Sequence, residues 1–180
     1  MLEIIAIVAI VLAIAIVIIL ALALTKPDTL SVQRSAVVQA PADRIFPLVN
    51  NFHEWVSWSP WENRDPAMKR SYSGAESGKG AVYAWDGNRN IGSGRMEILD
   101  ASSPSKITIK LDFFKPFEGH NTAEFTFAPD GGSSATNVVW VMRGPSSFIS
   151  KVMQVFMNLD AMIGRDFEAG LANLKKLTEK

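Results

Sequence analysis

The stretch that decides the fold is TNVVWVMRGPSSFISKVMQVFMNLDAMIGRDFEAGLANLKKL, residues 136–177. It begins with a β-branched run that is typical of a strand and stops at Gly144-Pro145. After this stop the apolar period becomes helical, because large apolar residues return every three or four positions. We therefore predict one amphipathic helix of about 30 residues and roughly 45 Å that ends near Leu177. The residues of its apolar face are Phe148, Val152, Val155, Leu159, Ile163, Phe167, Leu171 and Leu174.

The chain before this stretch alternates between strands and turns. In KITIKLDFF, residues 106–114, apolar and polar side chains alternate cleanly, as in a half-buried strand. A short helix is predicted after Pro41. The sequence thus predicts an α+β protein, with an antiparallel sheet of six or seven strands wrapped around the C-terminal helix. One helix cannot fill a wrapped sheet, so we expect an elongated apolar cavity between them. The other strand-like runs cover residues 30–40, 81–87, 92–101, 120–132 and 136–144.

The N-terminal segment from Ile4 to Leu24 is 21 residues long and holds neither a charge nor a helix breaker. At about 1.5 Å per residue it matches the hydrocarbon thickness of a bilayer, which predicts a single-pass transmembrane helix. A cleaved signal peptide with a site at Ala21-Leu22-Ala23 is the alternative. Lys26 and Arg34 follow the segment, and this positive-inside bias predicts a cytoplasmic domain. The division is an anchor over 1–25, a tether over 26–28 and a domain over 29–180.

The bulk composition excludes several classes of function. Lys plus Arg and Asp plus Glu both number 18, which removes the electrostatic case for a nucleic-acid partner. The chain has no cysteine, so it forms no disulfide, no thiolate zinc site and no cysteine nucleophile. About 150 residues beyond the apolar segment suffice to bury a core.

Three quoted segments carry a resemblance to a known family. They are AVVQAPADRIFPLVNNFHEWVSWSPW at 36–61, GKGAVYAWDGNRNIGSGRMEI at 78–98 and GLANLKKL at 170–177. Their order over residues 29–177 resembles the SRPBCC superfamily, the START / Bet v 1-like helix-grip group, close to sequences of the polyketide cyclase/dehydrase type. The resemblance implies a helix-grip fold with a deep hydrophobic cavity. In many members this cavity binds lipids, isoprenoid quinones, polyketides or hormones. Oxygenase members add a Rieske domain and iron ligands that this chain lacks.

The inward-facing aromatic and methionine side chains are the predicted lining of the cavity. Trp55, Trp58 and Trp61 recur every third residue, so two of them are expected to plug the junction of helix and sheet while Trp58 or Trp61 lines the mouth. Flexible thioethers and flat rings suit an irregular guest. The predicted ligand-binding residues are Trp58, Trp61, Tyr83, Trp85, Met96, Phe113, Phe127, Trp140, Met153 and Met157.

Few polar residues are candidates for chemistry. Arg34 falls in the inward phase of the first strand, so it either emerges at the sheet edge or contacts a carboxylate or head group near one end of the cavity. His53 is expected at the surface, and His120 lies on the outer face in phase with Glu118. We predict no catalytic residues, no metal site and no cofactor.

These features predict a membrane-anchored domain that binds a hydrophobic small molecule, such as a lipid, a quinone or a polyketide-like ring. The first alternative is a cyclase or dehydratase that uses a water or His53 as base. The second is an adaptor whose surface recognises another protein, as in chaperone-activating relatives.

Overall fold

The structure is a computed structural model that describes residues 1–131 and 134–179. Gly132, at the end of the run 120–132, and Lys180, the last residue of the expected domain, lie outside the described residues. A 3₁₀ helix over Phe52–Ser57 follows the second α-helix. The helices are α1 Leu2–Leu24, α2 Ala42–Asn50, α3 Phe148–Phe156 and α4 Leu159–Thr178, and the strands are β1 Thr29–Val38, β2 Lys69–Gly74, β3 Ala81–Asp86, β4 Ser93–Ser102, β5 Lys106–Lys115, β6 Gly119–Pro129 and β7 Thr136–Pro145.

The seven strands form one antiparallel sheet with the order β1-β7-β6-β5-β4-β3-β2. Strands β2 to β7 follow one another as a meander, and β1 joins its free edge beside β7. Alternation decides which face is covered: Ile107 and Ile109 of β5 are fully buried, whereas Lys110 is exposed. The predicted α+β helix-grip fold is confirmed.

One end of the sheet is defined by the pairs Thr29–Pro145 and Phe113–Gly119. Here β1, β4 and β6 begin, and β3, β5 and β7 end. We call it the anchor end, because α1 reaches β1 at this point through only four residues, Thr25 to Asp28.

The C-terminal helical region is two helices, which corrects the prediction of one continuous helix. Met157 has an extended backbone with φ −142° and ψ 149° and ends α3. Asn158 then caps α4, since its side-chain oxygen accepts a hydrogen bond from the Ala161 N–H at 2.9 Å. Asp160 in the first turn of α4 adds a favourable interaction with the helix dipole. The apolar period continues across this break, so periodicity alone does not reveal it.

Helix α4 covers β1 and the middle of the sheet. Its side chains Phe167, Leu171 and Leu174 are at most 2% exposed. Near its C-terminal end, the Lys175 ammonium donates to the Val37 carbonyl at 3.2 Å, and the Glu179 carboxylate accepts from the Gln39 N–H at 2.7 Å. These contacts fix α4 along the first strand.

Helix α3 does not cover the sheet but packs beside the C-terminal turns of α1. Both a backbone hydrogen bond and an ion pair join the start of α3 to the segment that follows α1. The Ser146 N–H donates to the Asp28 carbonyl at 2.7 Å, and the Lys151 ammonium of α3 pairs with the Asp28 carboxylate. Ala23 is fully buried at this junction, while the remainder of α1 is almost wholly exposed.

Candidate functional site

The middle of the space between α4 and the sheet is filled by aromatic rings. The ring of Trp140 stacks on that of Phe167, with centroids 4.0 Å apart and an angle of 3° between the planes. On its other side it stacks on Phe125 at 4.6 Å. Trp55 and Trp58 meet the same group edge-on, with centroids 6.4 and 5.7 Å from that of Trp140. Because this aromatic core fills the centre of the sheet, a bound small molecule would have to lie toward one of its ends.

The tryptophan segment is bound into this core by hydrogen bonds as well as by packing. The indole N–H groups of Trp55 and Trp58 donate to the carbonyls of Val49 and Leu48 of α2, at 3.0 and 2.9 Å. Asn173 of α4 donates to the Trp58 carbonyl at 2.9 Å. Trp55 and Trp58 are therefore the two that plug the junction of helix and sheet, and Trp61 is the one left half-buried.

The ten predicted lining residues fall into three places. Five lie in the buried core, three are half-buried on or beside the inner face of the sheet, and two lie on the segment from α3 to the start of α4. The core members are Trp58, Tyr83, Met96, Phe127 and Trp140, the half-buried ones are Trp61, Trp85 and Phe113, and the last two are Met153 and Met157. Phe127 lies farthest from the anchor end, where its ring meets that of Phe46 of α2 with centroids 5.6 Å apart.

The half-buried side chains at the anchor end form an apolar surface on the inner face of the sheet. The indole of Trp85 lies across Gly94 of the neighbouring strand, where an added Cβ would approach its ring atoms to 2.5 Å. Only glycine leaves room for this arrangement. Trp85 then meets Phe113 edge-on, with centroids 5.9 Å apart. Leu111, two residues before Phe113 and on the same face, is also half-buried, so the surface continues along β5.

Two open grooves meet at Asn158, at the start of α4. The tether groove has a volume of about 670 Å³ and lies between residues 26–31 of the tether and β1 and residues 154–160 at the junction of α3 and α4. Its lining includes Leu30, Val155 and Met157. The second groove, of about 430 Å³, runs from Arg64 along residues 158–166 of α4. The first is large enough to hold a substantial part of a lipid-sized molecule.

Arg34, the predicted polar contact, lies between β1 and α4 with two carboxylates. Its guanidinium donates to Asp160 at 3.0 Å and to Glu168 at 2.7 Å. These hydrogen bonds raise the pKa of Arg34 and hold the pKa of Asp160 below its usual value. Gly164 makes the approach possible, since a Cβ there would lie 2.0 Å from the guanidinium. The cluster positions the first turns of α4, and so the wall of both grooves.

A buried polar cluster around Glu62 has no counterpart in the sequence patterns. The Glu62 carboxylate is 6% exposed and accepts hydrogen bonds from the Tyr83 hydroxyl and from Nε of Arg70, both at 2.7 Å. Burial, together with the neighbouring carboxylate, raises the pKa of Tyr83. The partners lie 8 and 21 residues apart along the chain, so only the folded sheet brings them together. The cluster fastens the loop that follows the tryptophan segment to β2 and β3.

The two histidines are both exposed. The exposed ring of His53 stacks on that of Tyr72 of β2, with centroids 3.9 Å apart. His120 lies on the outer face, where Nδ1 is 2.8 Å from the Asp112 carboxylate and Nε2 is 3.4 Å from that of Glu118. Within residues 1–131 and 134–179 no group of three or more His, Cys, Asp or Glu side chains is arranged to hold a metal.

His120 gives the fold a pH dependence whose sign follows from its partner. The hydrogen bond to Asp112 raises the pKa of His120, so its contribution to stability is complete below the unfolded value near 6.5 and disappears as pH rises through the folded value. We expect His120→Gln to reduce the fall in thermal midpoint between mildly acid and mildly alkaline buffer, measured by circular dichroism. His53→Gln is the control, and an equal reduction in both variants would contradict the assignment.

Comparison with solved structures shows the same fold in proteins of low sequence identity. A protein from Chromobacterium violaceum aligns with a TM-score of 0.58 at 15% identity, over 86% of this chain and 99% of the other. A protein from Nitrosospira multiformis gives 0.59 at 20% identity, over 83% and 96%. The di-domain ARO/CYC BexL from the BE-7585A biosynthetic pathway gives 0.60 at 17% identity, over 89% of this chain and 53% of BexL. No curated protein matches the chain.

The sequence itself matches one family model over nearly the whole of its folded part. The match covers residues 29–179, from the first residue of β1 to the last turn of α4, and leaves out only α1 and the tether at the N-terminal side. The matched residues include the seven strands, the aromatic core and the contacts of Lys175 and Glu179 that fix α4 along β1. The chain therefore belongs to the family described as polyketide cyclase / dehydrase and lipid transport.

Proposed function

We propose that the protein is a membrane-anchored binding domain for a hydrophobic small molecule, of the lipid, quinone or polyketide-like class. The observation that carries this proposal is the half-buried apolar surface of Trp85, Leu111 and Phe113 on the inner face of the sheet. It lies at the anchor end of β3 and β5, and a groove of about 670 Å³ lies at the same end of the sheet, between β1 and the α3–α4 junction. Apolar side chains that point inward but stay partly exposed are a binding surface for an apolar guest.

The position of the guest follows from the packing of the interior. Trp140, Phe125 and Phe167 fill the middle with stacked rings, so a guest lies toward the anchor end, against the half-buried side chains of β3 and β5. This shifts the expected site toward Trp61, Trp85 and Phe113, and away from Trp58 and Phe127.

The anchoring role rests on α1. It has 23 residues and a mean hydropathy of 3.6, enough by length and composition to cross a bilayer, although a signal sequence passes the same test. Lys26 after the helix favours a cytoplasmic domain. An anchor would hold the binding surface where apolar ligands concentrate. Intact mass of the protein from its own membrane separates the two roles: loss of residues 1–23 would show a cleaved signal and contradict anchoring.

A cyclase or dehydratase is the second candidate, favoured by the family description and by the fold shared with BexL. It requires an acid or base that faces the guest. His53, the predicted base, is exposed and packs on Tyr72 of β2, the edge strand of the sheet. Turnover of a linear polyketide thioester by the purified full chain would favour this role over binding.

Native mass spectrometry of the gently extracted full chain tests the binding role. We expect a bound lipid-like adduct that survives transfer to the gas phase and that chloroform extraction identifies. Because the apolar surface is the proposed site, Trp85→Ala should reduce the bound fraction, while Val56→Ala, an exposed position on the 3₁₀ helix, should not. Full chain without any adduct, and without affinity for added fatty acids or quinones, would contradict the proposal.

A further inference from the structure

We infer that α3 lies in the head-group layer of the membrane, with its apolar face against lipid. The inference rests on the proposed anchoring by α1. Three of the nine residues of α3 are large, apolar and at least half exposed: Phe148 at 50%, Ile149 at 52% and Phe156 at 66%. Met157, directly after the helix, is 44% exposed. Phe156 follows Ile149 by seven residues and Phe148 by eight, which is about two helical turns, so the three side chains lie along one side of α3.

Such a face is unusual for a helix of a soluble domain, which turns its apolar side to the core. Helix α3 has no buried residue, whereas α4 has seven. Single exposed apolar side chains are ordinary, but a contiguous group of them marks a contact surface. Burial of this face in a partner would remove it from water.

The structure indicates that the partner is a bilayer surface. Helix α3 packs against the C-terminal turns of α1, and the Asp28 contacts to Ser146 and Lys151 fix it there. The four residues 25–28 between α1 and β1 span at most about 14 Å, so α3 stays within reach of the lipid head groups wherever α1 crosses the bilayer. An amphipathic helix beside an anchor is the geometry of interfacial membrane binding.

Two further features at the same end fit a lipid surface. Phe117, in the turn between β5 and β6, is 53% exposed. Lys26 follows α1, and Lys115 ends β5, so cations flank the apolar residues at the level of lipid phosphates. Aromatic and basic side chains are the residues that favour a membrane interface.

The consequence concerns how the ligand arrives. Residues 154–157 at the end of α3 line the tether groove. When α3 lies on the membrane, the mouth of this groove opens among lipid chains and head groups. An apolar ligand then passes from the bilayer into the domain without crossing water.

The absence of cysteine allows a direct test with single-cysteine variants of the full chain. Phe156→Cys on α3, Leu99→Cys on β4 and Ile10→Cys in α1 are labelled with the fluorophore NBD. Leu99, in the middle of β4, is 41% exposed and serves as the matched control. The labelled chains are reconstituted into vesicles of phosphatidylcholine and phosphatidylglycerol, and quenching is measured with aqueous iodide and with lipids spin-labelled at different depths.

We expect the label at residue 156 to be quenched by shallow spin labels and to show a several-fold lower iodide quenching constant than the label at residue 99. The label at residue 10 reports the anchor separately, through deep spin labels. Deep quenching at residue 10 together with water-like quenching at residue 156 would overturn the inference and leave the anchor intact. Water-like quenching at both positions would overturn the anchor and the inference together.

Discussion

Replacing Trp140 with alanine is expected to lower the free energy of unfolding by about 3–5 kcal/mol, the usual range for a large aromatic residue lost from a packed core. Trp140 is 3% exposed and lies between the rings of Phe125 and Phe167. Its removal leaves a void that the stacked rings cannot close without losing contact with one another. Urea unfolding of the full chain in detergent, followed by near-ultraviolet circular dichroism, measures the loss.

Trp61→Ala is the comparison, because Trp61 meets the same rings from a half-buried position and should cost less. The contrast separates a structural ring from one that lines a cavity. If Trp140→Ala cost less than about 1 kcal/mol while it increased the capacity for an added ligand, the middle of the molecule would be a cavity and not an aromatic core.

Replacing Phe113 with alanine is expected to weaken ligand binding by about 10- to 100-fold. A phenylalanine side chain that covers an apolar guest contributes about 1.5–3 kcal/mol, and each 1.4 kcal/mol changes Kd by about tenfold. Titration of NBD-labelled stearate into the full chain held in amphipol measures the change. The thermal midpoint of the variant, by circular dichroism, verifies that the fold persists.

The next residue is a closely matched control. Phe114 has the same side chain on the same strand, but it lies where the register between β4 and β5 shifts and is 52% exposed. We expect Phe114→Ala to bind the labelled stearate as the unchanged chain does. Equal affinities for both variants would show that the inner face at the anchor end does not touch the ligand.

The sequence predicts six of the seven strands, all but β2, and the covered face of α4, because alternation and helical periodicity are local properties. Ile107 and Ile109 illustrate the first, and Phe167 and Leu171 the second; all four are buried as expected. The break between α3 and α4 is not predicted, because the apolar period runs through Met157 and Asn158. The second helix begins after Asn158, whose side-chain oxygen accepts a hydrogen bond from the Ala161 N–H.

The candidate site was only partly predictable, since exposure depends on which elements cover a residue. Tyr83 and Trp85 have the same phase on β3, yet Tyr83 is buried below the tryptophan segment and Trp85 remains half-buried. The partners of Arg34 likewise come from 126 and 134 residues further along the chain. Two of the lining candidates, Met153 and Met157, were expected on a single long helix. The break after α3 puts Met157 in the lining of the tether groove and Met153 on α3, the helix that packs against α1.

Photo-crosslinking locates the bound molecule itself. The full chain in amphipol is loaded with a diazirine-bearing fatty acid and irradiated, and the modified peptides are sequenced by mass spectrometry. We expect modification at the ends of β3 and β5, residues 83–86 and 111–113, and at the α3–α4 junction, residues 154–159. Modification confined to α2 and the 3₁₀ helix, residues 42–57, would place the guest at the opposite end of the sheet and contradict a site at the anchor end.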